Sequence, residues 1–318
     1  MKVKNDHRLN ISIITPYFNC SNRIVQHFKD IHEKIKKNKS IELIYIDDGS
    51  REKLDSKFVK KLNKLERVSH YRLKKNYGPG IARNFGIKKA KGNFLLFLDS
   101  DDSLNKKNFF LLNKYIQKKH INDVIFFDFI NKPFKKQFNL SIKKIKKNII
   151  LKKYLRTELD MNPNFYVYKK NFLINNKISF VQGFYEDIYF VLQVFTLMQN
   201  YDVFKKKVYV KFNSKNSITN SYSKKHVECF AKSSLQKLNY FKKKIFLNFK
   251  NISFDDFQYG LRGDFIFINN MLKKVNVSKS FKKKIFSIYS QIIHSKFLIK
   301  TAYDKKVFKI LKKGEFIN

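Results

Sequence analysis

Three carboxylates crowd the end of one apolar run, where Phe94-Leu95-Leu96-Phe97-Leu98 leads into Asp99-Ser100-Asp101-Asp102. Such a strand tip offers hard oxygen ligands of the kind that Mg²⁺ or Mn²⁺ takes, and these ions bridge protein carboxylates to phosphates. The plain structural alternative is a solvated turn in which Asp102 caps the next helix. Two more polar clusters also follow apolar runs. Leu9 to Thr15 runs into Pro16-Tyr17-Phe18-Asn19, and Ile41 to Ile46 runs into Asp47-Asp48-Gly49-Ser50. In the segment Asn76 to Gly86 a bend at Gly78-Pro79-Gly80 precedes Arg83, a cation suited to holding a phosphate or to pairing with Asp99. Farther on, Glu186-Asp187 stands just before the apolar stretch Ile188 to Leu197. Paired acids there are either chemical groups or ordinary partners of a helix N-terminus.

The elements that position these groups follow from periodicity. Helical patterns separate the apolar runs, so the order reads strand, helix, strand, helix, short strand, helix, strand. That alternation predicts a parallel sheet with helices on both faces. Ligands of such sheets bind beyond the carboxyl ends of the strands, which is where the three polar clusters fall. Beyond about Tyr222 the pattern changes: apolar residues recur at helical spacing in Cys229 to Phe249, Phe257 to Leu272 and Phe281 to Leu311. Lysine clusters such as Lys242-Lys243-Lys244 and Lys282-Lys283-Lys284 interrupt them. These amphipathic helices either pack against the rest of the protein or lie in a membrane interface. The expected division is residues 1–220 and a basic helical region, 221–318.

Composition narrows the function classes. Cys20 and Cys229 are the two cysteines of the 318 residues, and they follow no metal or redox spacing. A reducing cytoplasm is the simplest expectation, since no signal peptide and no apolar run of ~20 residues is visible. The formal net charge of +43 attracts phosphates of any kind. The lysines are spread along the whole chain and no nucleic-acid recognition signature accompanies them, so nucleic-acid binding is not the expected function. Peripheral contact with an anionic membrane face is a further expectation. His226 reads as a solvated surface residue.

Four segments occur in a telling order: Ile13-Ile14-Thr15-Pro16-Tyr17-Phe18-Asn19, Asp47-Asp48-Gly49-Ser50, Asn76-x-Gly78-x-x-x-Ala82-Arg83-Asn84-x-Gly86 and Leu98-Asp99-Ser100-Asp101-Asp102. Together they resemble the nucleotide-sugar half of a family 2 glycosyltransferase of GT-A fold, over about residues 9 to 219. The resemblance implies an α/β, Rossmann-like, mixed and mainly parallel sheet flanked by helices, with an α-helical C-terminal extension. It implies an inverting, metal-dependent transfer of a sugar from a nucleotide diphosphate, UDP by expectation, to a saccharide or lipid-linked saccharide acceptor in cell-surface polysaccharide or oligosaccharide synthesis. By the same resemblance Asp101 touches the Mn²⁺ or Mg²⁺, and Asp99 lies by the ribose or the metal's water shell. Asp48 accepts the imide N–H of uracil, with Asp47 as a structural companion. Thr15, Pro16, Tyr17 and Asn19 belong to the same donor pocket, Tyr17 offering a ring face, and Asn76, Gly80, Arg83 and Ser100 complete it. Asp187 is the implied general base, and Glu186 orients or binds acceptor hydroxyls.

Two departures stand out. No proline follows the acid cluster, where this chain has Leu104-Asn105-Lys106. Asn216-Ser217-Ile218-Thr219 is preceded by Phe212-Asn213-Ser214-Lys215 instead of a histidine or arginine, leaving Lys211 or Lys215 to supply charge. The rival readings are a sugar nucleotidyltransferase and a non-catalytic nucleic-acid or membrane-binding protein. The former wants a glycine-rich, lysine-ended loop that Pro16 to Arg23 lacks.

Overall fold

The structure, a computed structural model, describes residues 9–118, 122–132, 137–138, 145–159, 162–212, 222–245, 248–292, 305, 307 and 309–310. The segment Asn216 to Thr219, and Lys215 before it, lie outside the described residues. The chain begins with β1 (Ile11–Tyr17), α1 (Ser21–Ile35), β2 (Ile41–Asp47), α2 (Ser56–Lys64), β3 (Val68–Arg72), α3 (Pro79–Lys89) and β4 (Phe94–Phe97). It continues through β5 (Ser103–Leu104), α4 (Lys106–Lys118), β6 (Val124–Lys132), β7 (Gln137–Phe138), α5 (Lys147–Leu155), β8 (Tyr166–Lys169), α6 (Lys170–Asn175), α7 (Glu186–Leu197) and β9 (Tyr201–Phe212). Helices α8 (Lys224–Tyr240), α9 (Phe254–Lys274) and α10 (Lys279–Ile292) follow.

These elements divide into two compact units, residues 1–144, 162–182 and 197–214, and residues 145–161, 183–196 and 215–318. The first unit holds a single sheet of order β3-β2-β1-β4-β8-β6-β9-β5, with β7 beside β6. Strands β3, β2, β1 and β4 run parallel, as the strand–helix alternation predicts. Past β4 the sheet is mixed: β8 runs antiparallel to both β4 and β6, whereas β9 is parallel to β6. All seven residues of β1 and of β2 are buried, which is why both read as continuous apolar runs rather than alternating ones. Two polar exceptions, Ser12 of β1 and Glu42 of β2, satisfy each other. Glu42 Oε1 accepts from Ser12 Oγ at 2.5 Å and from the N–H groups of Lys91 at 2.6 Å and Gly92 at 3.1 Å.

Strand β1 extends to Tyr17, two residues past the expected end at Thr15. Its register with β2 continues to Tyr17↔Asp47, while pairing with β4 stops at Ile14↔Phe97. Pro16 therefore sits where β1 has one neighbour only, the position in a sheet that tolerates a residue without an N–H. Helix α1 buries Ile24, Phe28, Ile31 and Ile35, a stripe at helical spacing. Helix α3 starts at Pro79 after Gly78, whose φ of 94° favours glycine.

The second unit is helical. Its core joins Ile188 of α7, Val227, Phe230 and Ala231 of α8, Phe265, Ile268 and Met271 of α9, and Phe281, Ile285 and Tyr289 of α10. Most of the described apolar positions of α8, α9 and α10 pack in this core, while Tyr259 and Phe267 of α9 and Lys279, Lys283 and Lys284 of α10 are exposed. Lys237 and Asp264, both buried, form an ion pair at 2.6 Å. Helix α8 begins five residues before the expected Cys229, because Ser223 caps it and His226 completes the reciprocal box. His226 is correspondingly buried and stacked on Phe184, with ring centroids 3.9 Å apart, and is not the solvated histidine that its isolation in the sequence suggested. Among the described residues, no helix is long and apolar enough to cross a membrane.

Candidate active site

The acid loop leaves the sheet at the end of β4, a strand buried along its whole length. Asp99 is held on both sides: Oδ1 accepts from Arg83 Nη2 at 2.8 Å, and Oδ2 from Asn164 Nδ2 at 2.7 Å. Asp102 is held as firmly, Oδ2 accepting from the Tyr209 hydroxyl at 2.5 Å and Oδ1 from the Phe212 N–H at 2.7 Å. Oxygens of Asp99, Asp101 and Asp102 lie within 4.8 Å of one another. Burial and the neighbouring acids raise the Asp101 carboxyl above its ordinary range and push Asp102 up to about 8. Among the described residues, no side chain donates a hydrogen bond to Asp101.

This donor set fits a divalent cation. The three groups are hard oxygen ligands, they are close enough to share an ion, and among the described residues no side chain donates to the Asp101 carboxylate. The arrangement also decides between the two roles open to Asp102. Helix α4 is capped by Asn105, whose Oδ1 accepts from the Asn108 N–H at 3.0 Å. Asp102 instead ties the acid loop to β9. Ser100 lies beside α1, its hydroxyl 3.7 Å from Cys20 Sγ.

The neighbouring loops are bound to each other rather than free. Asp48 is buried, its Oδ1 accepting from Tyr77 N–H at 2.9 Å and its Oδ2 from Gly78 N–H at 2.8 Å. Burial outweighs these bonds and raises its carboxyl above the usual value. Each carboxylate oxygen keeps a second acceptor site, so the bonds do not exhaust Asp48. Asp47 pairs with Arg72 and accepts from the Ser50 N–H at 2.8 Å. Gly49, at φ +71°, sits so close to the next loop that a Cβ would lie 2.4 Å from the carbonyl carbon of Lys75. A side chain there would push the two loops apart.

Thr15 and Pro16 are interior residues of β1. Tyr17 is buried as well, with its hydroxyl 2.7 Å from His70 Nε2, so its ring presents no open face in this structure. Asn19, at φ 49°, joins the first two loops: its Oδ1 accepts from Arg51 N–H at 2.8 Å and its own N–H donates to Ser50 Oγ at 2.9 Å. Asn76 Oδ1 accepts from the Gly78 N–H at 3.1 Å, and Gly80 is buried in the first turn of α3. Arg83 makes the pair with Asp99 and lies 5.4 Å from the Phe180 ring centroid.

In the helical unit, Glu186 and Asp187 occupy the first turn of α7. Two residues with positive φ, Gly183 at 120° and Tyr185 at 62°, shape the entry to that turn. The Tyr185 carbonyl accepts from Ser233 Oγ at 3.4 Å, and the Tyr154 hydroxyl donates to the Ile188 carbonyl. Glu186 is buried, and Asp187 is half-buried with Oδ1 accepting from the Ile188 N–H at 2.9 Å.

Sequence reasoning missed Asn164, Tyr209, His70 and Arg72. The last two lie on β3, whose polar residues Ser69, His70 and Arg72 gave no apolar alternation to flag which faced the site. Asn164 and Tyr209 reach the acids only through the antiparallel β8 and the long β9, pairings that no local pattern encodes.

The family model for glycosyl transferase family 2 matches residues 12–183. An uncharacterised glycosyltransferase of Rickettsia conorii is 36% identical over 119 residues, 37% of this chain and 19% of that protein. The chain thus spans about a fifth of the length of that relative. The cholesterol galactosyltransferase of Borreliella burgdorferi is 24% identical over 252 residues, covering 73% of this chain and 68% of that protein. Among solved structures, residues 1–349 of Staphylococcus aureus TarS in complex with UDP-GlcNAc superpose with a TM-score of 0.58 at 18% identity, covering 96% of this chain and 92% of that one. The two chains share the GT-A fold.

Proposed function

Because the chain belongs to glycosyl transferase family 2, we propose that it transfers a sugar from a UDP-sugar to a saccharide or lipid-linked saccharide acceptor, with inversion at the anomeric carbon, in cell-surface polysaccharide or oligosaccharide synthesis. The observation that carries this reading is the acid cluster at the end of β4, in which Asp101 receives no side-chain hydrogen bond among the described residues while the two acids beside it are held in place. The UDP-GlcNAc complex of TarS supports a uridine nucleotide as donor.

Asp101, with Asp99 beside it, would hold the Mn²⁺ or Mg²⁺, which when bound supplies Lewis-acid neutralisation of the leaving diphosphate. Arg83 offsets the negative charge of Asp99 and fixes its orientation. Asp48 holds the loop at Tyr77 and Gly78 and retains acceptor capacity for an imide N–H. Asp187 is the proposed general base: it takes the proton of the acceptor hydroxyl as that oxygen attacks the anomeric carbon, and Glu186 binds or orients the acceptor. Attack on the face opposite the diphosphate inverts the centre, converting an α-linked donor to a β-linked product. The net charge and the exposed lysines of α10 support contact with an anionic membrane surface through charge rather than apolar insertion.

A panel of nucleotide sugars tests the reading. The full chain should hydrolyse or transfer from a uridine-linked sugar in MnCl₂, and EDTA should abolish this. Full turnover in EDTA would remove the metal from the account.

A further inference from the structure

Two buried side chains outside the sequence motifs bracket the acid cluster. Tyr209 of β9 is fully buried and Asn164, in the 3₁₀ turn Pro163–Phe165 before β8, is almost so. Each polar hydrogen that these two side chains carry has one assignment. The Tyr209 hydroxyl donates to Asp102 Oδ2 at 2.5 Å and accepts from the Asp99 N–H at 3.3 Å and from Asn164 Nδ2 at 3.2 Å. One donation and two acceptances exhaust a hydroxyl. The second hydrogen of Asn164 Nδ2 goes to Asp99 Oδ2 at 2.7 Å. Flipping the Asn164 amide would set its oxygen against a carboxylate, so its orientation is fixed by the network. The turn is held in its own right, since Asn162 Oδ1 accepts from the Asn164 N–H at 2.9 Å and the Tyr168 hydroxyl donates to the Pro163 carbonyl at 2.8 Å.

We propose that Tyr209 and Asn164 are positioning residues for cation binding: they link Asp99 to Asp102 in a closed hydrogen-bonded ring and so fix the loop that presents Asp101. The physical need is repulsion. Three carboxylates within 4.8 Å of one another would splay without neutral donors between them, and the ion would then meet a loop it must first reorganise. Arg83 already offsets Asp99 from one side, and a further cation at either position would compete with the metal for the acids, so neutral donors suit these two places. Partners that orient a ligating side chain are typically worth 10–100-fold in metal affinity.

This inference rests on the metal-dependent donor reading above. Its test is calorimetric titration of UDP into the full chain at stepped MnCl₂ concentrations, with thermal unfolding measured in parallel. Tyr209→Phe should raise the Mn²⁺ concentration for half-maximal UDP binding by ~10-fold while leaving binding at saturating Mn²⁺ near the parent value. Asn164→Leu should do the same, and it keeps the test open if either variant folds poorly. Tyr115→Phe is the matched control, since it removes a tyrosine hydroxyl that donates at 2.6 Å to Asp202 at the far end of β9. That control should leave the Mn²⁺ dependence within about twofold of the parent, well below the lower bound for an orienting partner. If Tyr209→Phe and Asn164→Leu lower the melting temperature but leave the Mn²⁺ titration unchanged, the positioning role is overturned and the donor reading survives. If the parent itself shows no Mn²⁺-dependent UDP binding, the donor reading fails, and the inference falls with it.

Discussion

Replacing Arg83 with methionine keeps most of the side-chain volume but removes the guanidinium from a site with 7% side-chain exposure. Asp99 is then left beside Asp101 and Asp102 with Asn164, among the described residues, as the side-chain donor still bound to its carboxylate. Removing one member of a buried pair costs ~3–5 kcal/mol. Asp99 is 34% exposed, so water recovers part of that loss and ~2–3 kcal/mol is the better figure. Loss of the cation over the Phe180 ring adds ~0.5–1 kcal/mol. At roughly 2.1 cal/mol/K of unfolding entropy per residue, a chain of 318 residues loses about 1.5 °C per kcal/mol, and the melting temperature should fall by ~4–6 °C. Far-UV circular dichroism followed through thermal unfolding reads this directly, with Arg83→Lys expected between parent and Arg83→Met because it restores charge without the planar fork. A methionine variant melting with the parent would refute the claim that Arg83 offsets the acid cluster.

Burial lowers the His27 imidazole from 6.5 to about 4, because its charged form would lie in the core against the Tyr45 hydroxyl. The unfolded chain takes up a proton in that window and the native state does not, so the His27 contribution lowers stability by on the order of 3 kcal/mol as pH drops from 6.5 to about 4, while Asp102, raised to about 8, acts in the opposite sense. Denaturant titrations of the parent and of His27→Gln across that range isolate the His27 contribution as their difference, which should move in favour of the variant as pH falls. Asp187→Asn should bind UDP and Mn²⁺ as the parent does yet turn over ~10²–10⁴-fold more slowly, whereas parent-like turnover would reduce Asp187 to a helix terminus. Sedimentation with lipid vesicles should show binding to anionic but not neutral membranes, lost at high salt; equal recovery on both would remove the lysine surface of α10 from the account.

The parallel half of the sheet was legible because β1, β2 and β4 are buried on both faces and therefore appear as unbroken apolar runs, each ending in a polar cluster. The acid cluster, the Asp48 turn and the glycine bend before Arg83 were legible for the same reason: local spacing put them at strand ends. Contacts between distant segments were not. Asn164 lies 65 residues from Asp99, and Tyr209 lies 107 from Asp102. Their meeting depends on β8 reversing direction beside β4 and on a register shift between β6 and β9 near Asp128, neither of which leaves a periodic trace. The same limit hid the burial of His226, whose partners are a capping serine at close range and a phenylalanine, Phe184, far back along the chain.

The central claim is that Asp101 presents a carboxylate through which a divalent cation and a uridine diphosphate bind together. Calorimetric titration of UDP into the parent and into Asp101→Asn, each in MnCl₂ and in EDTA, tests it most directly. The parent should bind UDP in MnCl₂ and lose that binding in EDTA. Asp101→Asn should show only the EDTA level in both, with a melting temperature no lower than the parent's, since the substitution removes a carboxylate that burial and Asp99 disfavour. Equal UDP binding by parent and variant in MnCl₂ would contradict the account.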